Sequence, residues 1–351
     1  MRQTSGVGRS RAVAAPRDSG DLLAKASSGD ELAFAAIVGP HERSLFRHCY
    51  RMLGSGLDAE EAVQDTLLRA WRRLDAYEGI GAFGGWLYRI ATNICLDRLR
   101  ADRVRIDAVS YGPASMPGAA LTAPDPELIW IEPVGDARLN APGDPQDEVV
   151  GREDVSLAFV AALQRLAPRQ RACLLLHDVL GFTQSEVSEA LEISPAAVNS
   201  LLFRARDAVQ GRGEARQRDA SDPVVKQLLE RYVRAWQLAD IDAFVELVAD
   251  DIRLSMPPMT QWFDGRRDVA EFLERAVFSA ARPHGVPLRA GWCNGQPAFA
   301  TYEPGPDGHL VGSGLQVLEL ADRDGRLVVT DIASYRDPDL VTRCGLPGRI
   351  A

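Results

Sequence analysis

The chain has 351 residues, of which 46% are hydrophobic and 25% charged. This is the balance of a soluble globular protein long enough for two or three domains. No run of eighteen apolar residues occurs, which excludes a membrane-spanning helix. The five cysteines (Cys49, Cys95, Cys173, Cys293, Cys344) are dispersed and odd in number. With no CxxC pair and no Cys/His cluster, they support neither a disulfide framework nor a metal site. A reducing, cytoplasmic setting is expected, and no cofactor is indicated.

The net charge of −9 at first argues against nucleic acid, but its distribution reverses that argument. Residues 106–155 hold ten acids and two arginines, and residues 222–351 hold nineteen acids and fourteen bases. The remainder holds twenty acids and twenty-four bases. Two mildly basic segments therefore flank an acidic strip.

Residues 1–20 are basic without an apolar h-region, which predicts a disordered leader rather than a signal peptide. Residues 21–105 read as helices throughout. In "LDAEEAVQDTLLRAWRRL", Ala62, Leu67, Ala70, Trp71 and Leu74 recur at helical spacing, with Asp58 as a candidate N-cap. After "YEGIGAFGG" comes "WLYRIATNICLDRLRADRVR", where Leu87, Ile90, Ile94 and Leu99 form the apolar stripe. Residues 106–150 are dense in Pro and Gly with no sustained period, and read as an acidic linker.

Residues 151–218 return to helices, and their last two are short and joined by a tight turn, the outline of a helix-turn-helix. Thr183 is placed to cap the first of these with Glu186 as a capping box. Ser194 caps the second, with Pro195 at its first position. On a helical wheel Val198, Leu201, Leu202, Ala205 and Val209 face inward. Ala196, Asn199, Ser200, Phe203, Arg204 and Asp207 face outward. Asn199 and Ser200 form the small polar reading surface. An asparagine pairs bidentately with adenine, and Arg204 and Arg206 are expected on phosphates.

Residues 222–340 open with an Asp222-Pro223 helix start and the stripe Val225, Leu228, Leu229, Tyr232, Trp236. Strand-like segments with turn signals follow, giving an α+β pattern. Residues 341–351 are set apart as a tail.

Taken together, "DAEEAVQDTLLRAWRRLDAYEG", "FGGWLYRIATNICLDRLR" and "LAPRQRACLLLHDVLGFTQSEVSEALEISPAAVNSLLFRAR" resemble the extracytoplasmic-function (ECF) group of sigma factors. These are the promoter-recognition subunits of bacterial RNA polymerase. The resemblance covers about residues 21–105 and 155–212. It implies two all-α domains, sigma domain 2 and sigma domain 4, with core RNA polymerase and promoter DNA as partners. Asp58, Glu60, Glu61, Gln64, Asp65, Leu68 and Trp71 match the helix that docks on the polymerase clamp. For Leu68 and Trp71 the competing reading is core packing. Tyr77, Phe83, Trp86 and Tyr88 match the surroundings of unstacked bases, a task suited to aromatic faces, with core packing the rival reading for Trp86. Asn93, Asp97, Arg98 and Arg100 match the −10 reading and backbone-contact face. Thr183, Gln184, Asn199, Ser200, Arg204 and Arg206 fall to the −35 surface. Many members carry Lys–Ser–Arg where this chain has Asn199, Ser200 and Leu201, which points to a different promoter class.

The linker segment "PELIWIEPVGD" (residues 126–136) is similar to a Pro…Trp…Pro…Asp motif of ECF members with a large C-terminal extension, although Val134-Gly135 replaces the usual Tyr-Pro. The rival reading is a solvated spacer. "RAWQLADIDAFVELVADDIRLSMPP" with "WFDGRRDVAEFL" resembles the opening of the cone-shaped SnoaL-like α+β fold, which encloses an apolar cavity. Trp236, Met256, Trp262, Phe263, Trp292, Tyr302 and Tyr335 are the candidate lining for a small-molecule ligand. Asp251, His284 and Asp331 are candidate acid–base residues without a visible pairing. The resemblance implies a C-terminal domain that regulates the sigma factor in cis, in place of a separate anti-sigma protein. Two rivals are kept: a polymerase-independent, ligand-responsive helix-turn-helix regulator, and a SnoaL-like enzyme activity in the C-terminal domain. The expectation is that the chain is not itself an enzyme.

Overall fold

The computed structural model describes residues 19–77, 83–101, 105–139, 155–209, 220–278 and 285–351. Of the expected leader of residues 1–20, residues 1–18 lie outside them, and Ser19 and Gly20 already belong to a helix.

Among the described residues, the N-terminal unit is built from the α-helices α1 (Ser19–Ser27), α2 (Glu31–Leu53), α3 (Gly56–Arg72) and α4 (Phe83–Ala101), with a short 3-10 turn at Leu74–Ala76. The boundaries of α2 follow local chemistry. The Asp30 carboxylate accepts from the amides of Leu32 and Ala33, satisfying donors that the first turn leaves unpaired. At the other end Gly54, at φ 74°, turns the chain through the left-handed region and returns its N–H to Tyr50 O, the stop that a residue without a Cβ permits. One face of α3 (Ala59, Ala62, Val63, Thr66, Ala70) is buried against this bundle.

The helices α7 (Leu157–Gln164), α8 (Pro168–Leu174), α9 (Gln184–Leu191) and α10 (Pro195–Val209) form the second unit. It is not a separate bead. Its buried Leu163, Ala172, Leu175, Val187 and Leu202 share one continuous apolar core with Leu45, Tyr50, Leu87 and Ile94 of the first unit. Arg171 is almost wholly buried at this seam. Its guanidinium donates to the carbonyls of Leu163, Gln164, Leu166 and Met52 and to Gln164 Oε1. Arg171 thus ties α7 and α8 to the carbonyl end of α2, and desolvation pushes it down to about 10, still charged at neutral pH.

The C-terminal unit carries α11 (Pro223–Leu238), α12 (Ile241–Val245), α13 (Arg266–Ala276), α14 (Pro338–Arg343) and a seven-stranded sheet. The strands are β1 (Val248–Ser255), β2 (Trp262–Asp264), β3 (Leu288–Cys293), β4 (Gln296–Pro304), β5 (Leu310–Arg323), β6 (Arg326–Tyr335) and β7 (Arg349–Ile350). The order is β2-β1-β6-β5-β4-β3, with β1 parallel to β6 and the other pairs antiparallel. Strand alternation sorts the faces. Leu254, Phe299, Leu318 and Ile332 point into the main core beneath α11–α13. Ala298, Leu315, Val317 and Tyr335 point to the other face and meet Leu157 of α7. Residues 341–351 are not a loose tail. β7 pairs Leu310 and Val311 of β5, beyond the point where β6 has ended.

The segment expected to be a linker is also corrected over its described part. Residues 105–139 hold α5 (Ala108–Tyr111), α6 (Asp136–Leu139) and two isolated bridges, Ile106 to Trp130 and Gly135 to Cys293. Ile131, Val134 and Leu139 enter the helical core. Trp262 Nε1 donates to Gly112 O, and Gln261 holds Ala120 and Thr122. Apolar residues spaced too irregularly to show a period nevertheless bury in the helical core, and the backbone between them bonds the C-terminal unit.

Candidate nucleic-acid interface

Helix α3 presents Leu57, Glu61, Gln64, Asp65 and Leu68 to solvent, with Leu68 at 55% exposure. Leu68 therefore does not follow its core-packing reading. Trp71 is half-buried and packs edge-on to Phe34 at 4.9 Å. The carboxylates of this helix are ion-paired. Arg98 of α4 reaches Asp65 at 2.7 Å and Glu61 at 3.0 Å. Arg105 holds Asp58 at 2.6 Å, and Arg138 of α6 holds Glu60 at 3.2 Å while lying over the Phe46 ring. Arg98 was expected on a DNA-facing stripe, and instead bridges α4 to α3.

On α4 the exposed Asn93, Asp97 and Arg100 stand four and three residues apart, so they share one outer stripe. Arg100 pairs with Asp97 at 2.7 Å. Toward the N-terminal end, Tyr77, Phe83 and Trp86 make a cluster with ring centroids 5.3–5.6 Å apart. They are half-buried rather than sealed in. Tyr88 does not join them. It is 6% exposed and packs edge-on to His48 and Phe182. Two residues on from Trp86, the helix has turned by about 200°, which carries Tyr88 into the core and removes it from any base-facing role.

In the helix-turn-helix, the Thr183 hydroxyl accepts from Glu186 N, and the Glu186 carboxylate accepts from Thr183 N at 2.7 Å. The capping box predicted from the sequence is formed. The Ser194 hydroxyl accepts from Ala197 N. Val198, Leu202 and Ala205 are buried, and Ala196, Asn199, Ser200, Phe203, Arg204 and Asp207 are exposed. Phe203, at 75%, is the feature that the residue-by-residue reading left without a role. Its signal was its outward position on the wheel. Gln184 Nε2 donates to Asn199 Oδ1 at 2.6 Å. Arg206 makes two bonds to Asp178. That pairing, with help from His177, holds the Asp178 carboxyl below the usual range. Arg89 of α4 and Glu189 of α9 are 3.2 Å apart, which links the two helical units on their outer side.

Of the candidate cavity residues, Trp236, Met256 and Phe263 are buried in the core between sheet and helices, where Phe263 stacks on Phe272 at 4.2 Å. Trp292 packs partly against the same core. Tyr335 lies on the opposite face of the sheet, Tyr302 bonds Pro347 O near the chain end, and Trp262 holds the linker. Those three therefore do not line a common cavity with the rest. The acid–base candidates are not brought together either. Asp251 is exposed near Arg323, Asp331 pairs with Arg253 at 3.1 Å on the other face, and His284 lies outside the described residues.

Comparison with known proteins agrees with this anatomy. The Sigma-70 region 2 model matches residues 37–105, the Sigma-70 region 4 model residues 156–209, and a SnoaL-like domain model residues 229–330. The chain is 42% identical over 318 residues to the ECF RNA polymerase sigma factor SigG of Mycobacterium tuberculosis, covering 90% of this chain and 84% of SigG. It belongs to the ECF family of RNA polymerase sigma factors. A second relative, SigJ of the same organism, is 28% identical over 315 residues, which is 86% of this chain and 91% of SigJ. The crystal structure of that extracytoplasmic function sigma factor superposes with a TM-score of 0.54 at 25% identity, covering 87% of this chain and 97% of the other. The two helical units are therefore sigma domains 2 and 4 of an ECF sigma factor, and the third is a SnoaL-like domain fused to them. No described helix is long and apolar enough to cross a membrane.

Proposed function

We propose that this ECF sigma factor directs core RNA polymerase to promoters through three surfaces. The outer face of α3 docks on the polymerase. The Asn93–Asp97–Arg100 stripe with the Tyr77–Phe83–Trp86 cluster receives the −10 element, and the outer stripe of α10 reads the −35 element. The observation that carries this reading is the exposure pattern. Large apolar side chains that folding alone would bury stay out, Phe203 on α10 and Leu68 on α3, beside the polar outer stripes of α10 and α4 and the half-open rings of Tyr77, Phe83 and Trp86. Half-buried rings can offer a face to an unstacked base, worth about 1–3 kcal/mol each.

The form described is a closed one. Elements named −35 and −10 lie about 25 base pairs apart, or about 85 Å of DNA at roughly 34 Å per turn. Here the domains that read them share a core, and Arg89 meets Glu189 at 3.2 Å. Domains 2 and 4 must part for both to engage one promoter. The SnoaL-like domain bonds residues of both domains and the linker through Asn294, which supports a role as regulator in cis.

Run-off transcription with core polymerase tests this. The full chain is expected to give transcripts from a cognate promoter. A chain ending before Asp222 is expected to give a yield changed several-fold. No promoter-specific transcript from either form would overturn the promoter reading, and equal yields would overturn the regulatory one.

A further inference from the structure

Gln184 and Asn199 lie on different helices, yet their exposed side chains meet, with Gln184 Nε2 donating to Asn199 Oδ1 at 2.6 Å. Gln184 is the first residue of α9, directly after the Thr183 cap whose box with Glu186 fixes that helix start. Asn199 stands on the outer stripe of α10 beside Ala196, Ser200 and Phe203.

We propose that Gln184 and Asn199 form a single reading unit, in which Gln184 fixes the orientation of the Asn199 amide so that the pair selects adenine at one base pair. This rests on the reading that α10 faces the −35 element. An asparagine amide is ambiguous by itself, because a half-turn about χ2 exchanges its oxygen and nitrogen. Adenine offers an acceptor, N7, beside a donor, N6–H. Guanine offers two acceptors, N7 and O6. Bidentate contact with adenine needs Nδ2 on N7 and Oδ1 on N6–H. The half-turned amide brings an N–H to guanine O6 instead.

Gln184 opposes the half-turn. With its N–H directed at Oδ1, reversing Asn199 would set donor against donor. The bond does not block reading, because a carbonyl oxygen has two lone pairs, and the second stays open for adenine N6–H. Nor is Gln184 free to reverse at the DNA surface. Its Nε2 carries a second N–H, and phosphate oxygens are acceptors only. The orientation seen here lets one nitrogen serve both Asn199 and a phosphate. The opposite orientation would face Oε1 toward that charge. Gln184 is thus a positioning residue, acting on the base through Asn199.

The test is competition binding of holoenzyme, made with core polymerase, to promoter duplexes carrying each of the four base pairs at every −35 position. The unaltered chain is expected to prefer adenine over guanine by about tenfold or more at one position. Asn199→Ala is expected to flatten that preference. Gln184→Met, of similar length without hydrogen bonds, should flatten the same position to within about threefold of Asn199→Ala, with the double variant no flatter. Gln184→Glu, an acceptor only, should favour the half-turned Asn199 amide and lower the adenine preference there at least as far as Gln184→Met does. If Gln184→Met instead weakens all duplexes alike and keeps the adenine preference, Gln184 is a phosphate contact and the proposal falls. A chain that selects no base at −35, or an Asn199→Ala profile identical to the parent, places the failure earlier, in the assignment of α10 as reader.

Discussion

Asn294 Nδ2 donates to the Tyr50 hydroxyl at 2.9 Å, across a separation of 244 residues. The same side chain donates to Val155 O and accepts from Val134 N, and its backbone N–H reaches Val134 O. Tyr50 in turn donates to Glu132 O. One fully buried asparagine therefore bonds sigma domain 2, the linker and the start of sigma domain 4 at the point where the SnoaL-like sheet turns from β3 to β4. It sits at φ 56°, a backbone conformation that asparagine tolerates better than most residues.

Asn294→Gly keeps that backbone conformation available and removes the side-chain bonds. A lost buried partner costs about 1–3 kcal/mol, so unfolding by urea should show a loss of that order or somewhat more. The decisive readout is hydrogen exchange, in which the Val134 amide should exchange markedly faster. Unchanged exchange there would mean that packing, not Asn294, holds the linker.

Arg171→Met should cost about 3 kcal/mol or more, because the acceptors gathered around the guanidinium lose their donor together inside the core. Since Met52 O and Gln164 belong to different sigma domains, the variant should also loosen their contact. Small-angle scattering is expected to show a larger radius of gyration at temperatures where the chain is still folded.

Much of this anatomy was legible from local chemistry. The Thr183–Glu186 capping box, the Ser194–Pro195 helix start and the inward and outward residues of α10 depend only on neighbours within a turn or two, and the structure has them as read. Tyr88 was misplaced because resemblance gives a position in a motif, whereas burial depends on which face α2 covers. The linker and the Asn294 junction were illegible for a different reason. "CNGQ" announces a hairpin turn, but nothing within the hairpin says that Tyr50 and Val155 will close over it. Arg98 shows the same limit, since an arginine on a helix names its charge and not its partner.

Arg98→Ala separates two uses of that residue. The pairs to Glu61 and Asp65 are largely exposed on the acidic side, so stability should change by about 1 kcal/mol or less. Binding of core polymerase by the α3 carboxylates should be kept or strengthened once they are released. Promoter opening, followed with a fluorescent base analogue at −10, should fall if Arg98 leaves its pair to contact DNA, and stay level if the bridge to α3 is its whole task.

Phe203→Ala and Arg204→Ala should differ in kind. Arg204 is exposed and, among the described residues, bonded to Ser200 O within its own helix, so removing it should weaken all duplexes and lower the salt slope by about 1. Phe203 has no charge and an open ring face. Its loss should leave the salt slope unchanged and reduce preference at a position carrying a thymine methyl group. Identical salt slopes for the parent and Arg204→Ala would remove Arg204 from the phosphate-contacting set.

Asp331 supplies a pH test. It lies between Arg253 on β1 and Glu319 on β5, with Asp107 of the linker nearby. Burial raises its carboxyl to about 7, Arg253 opposes the shift, and Glu319 and Asp107 add to it. An aspartate in the unfolded chain titrates near 4. Between about pH 4 and pH 7, then, the folded chain holds this proton more tightly than the unfolded chain, and the stability it contributes is lost as the pH rises through that window. Asp331→Asn fixes the neutral form. The melting temperature of the variant relative to the parent should therefore climb from pH 5 to pH 8, because only the parent must ionise a buried carboxyl. A difference that stays constant across that range would show that Asp331 is ionised throughout and that Arg253 outweighs burial at this face.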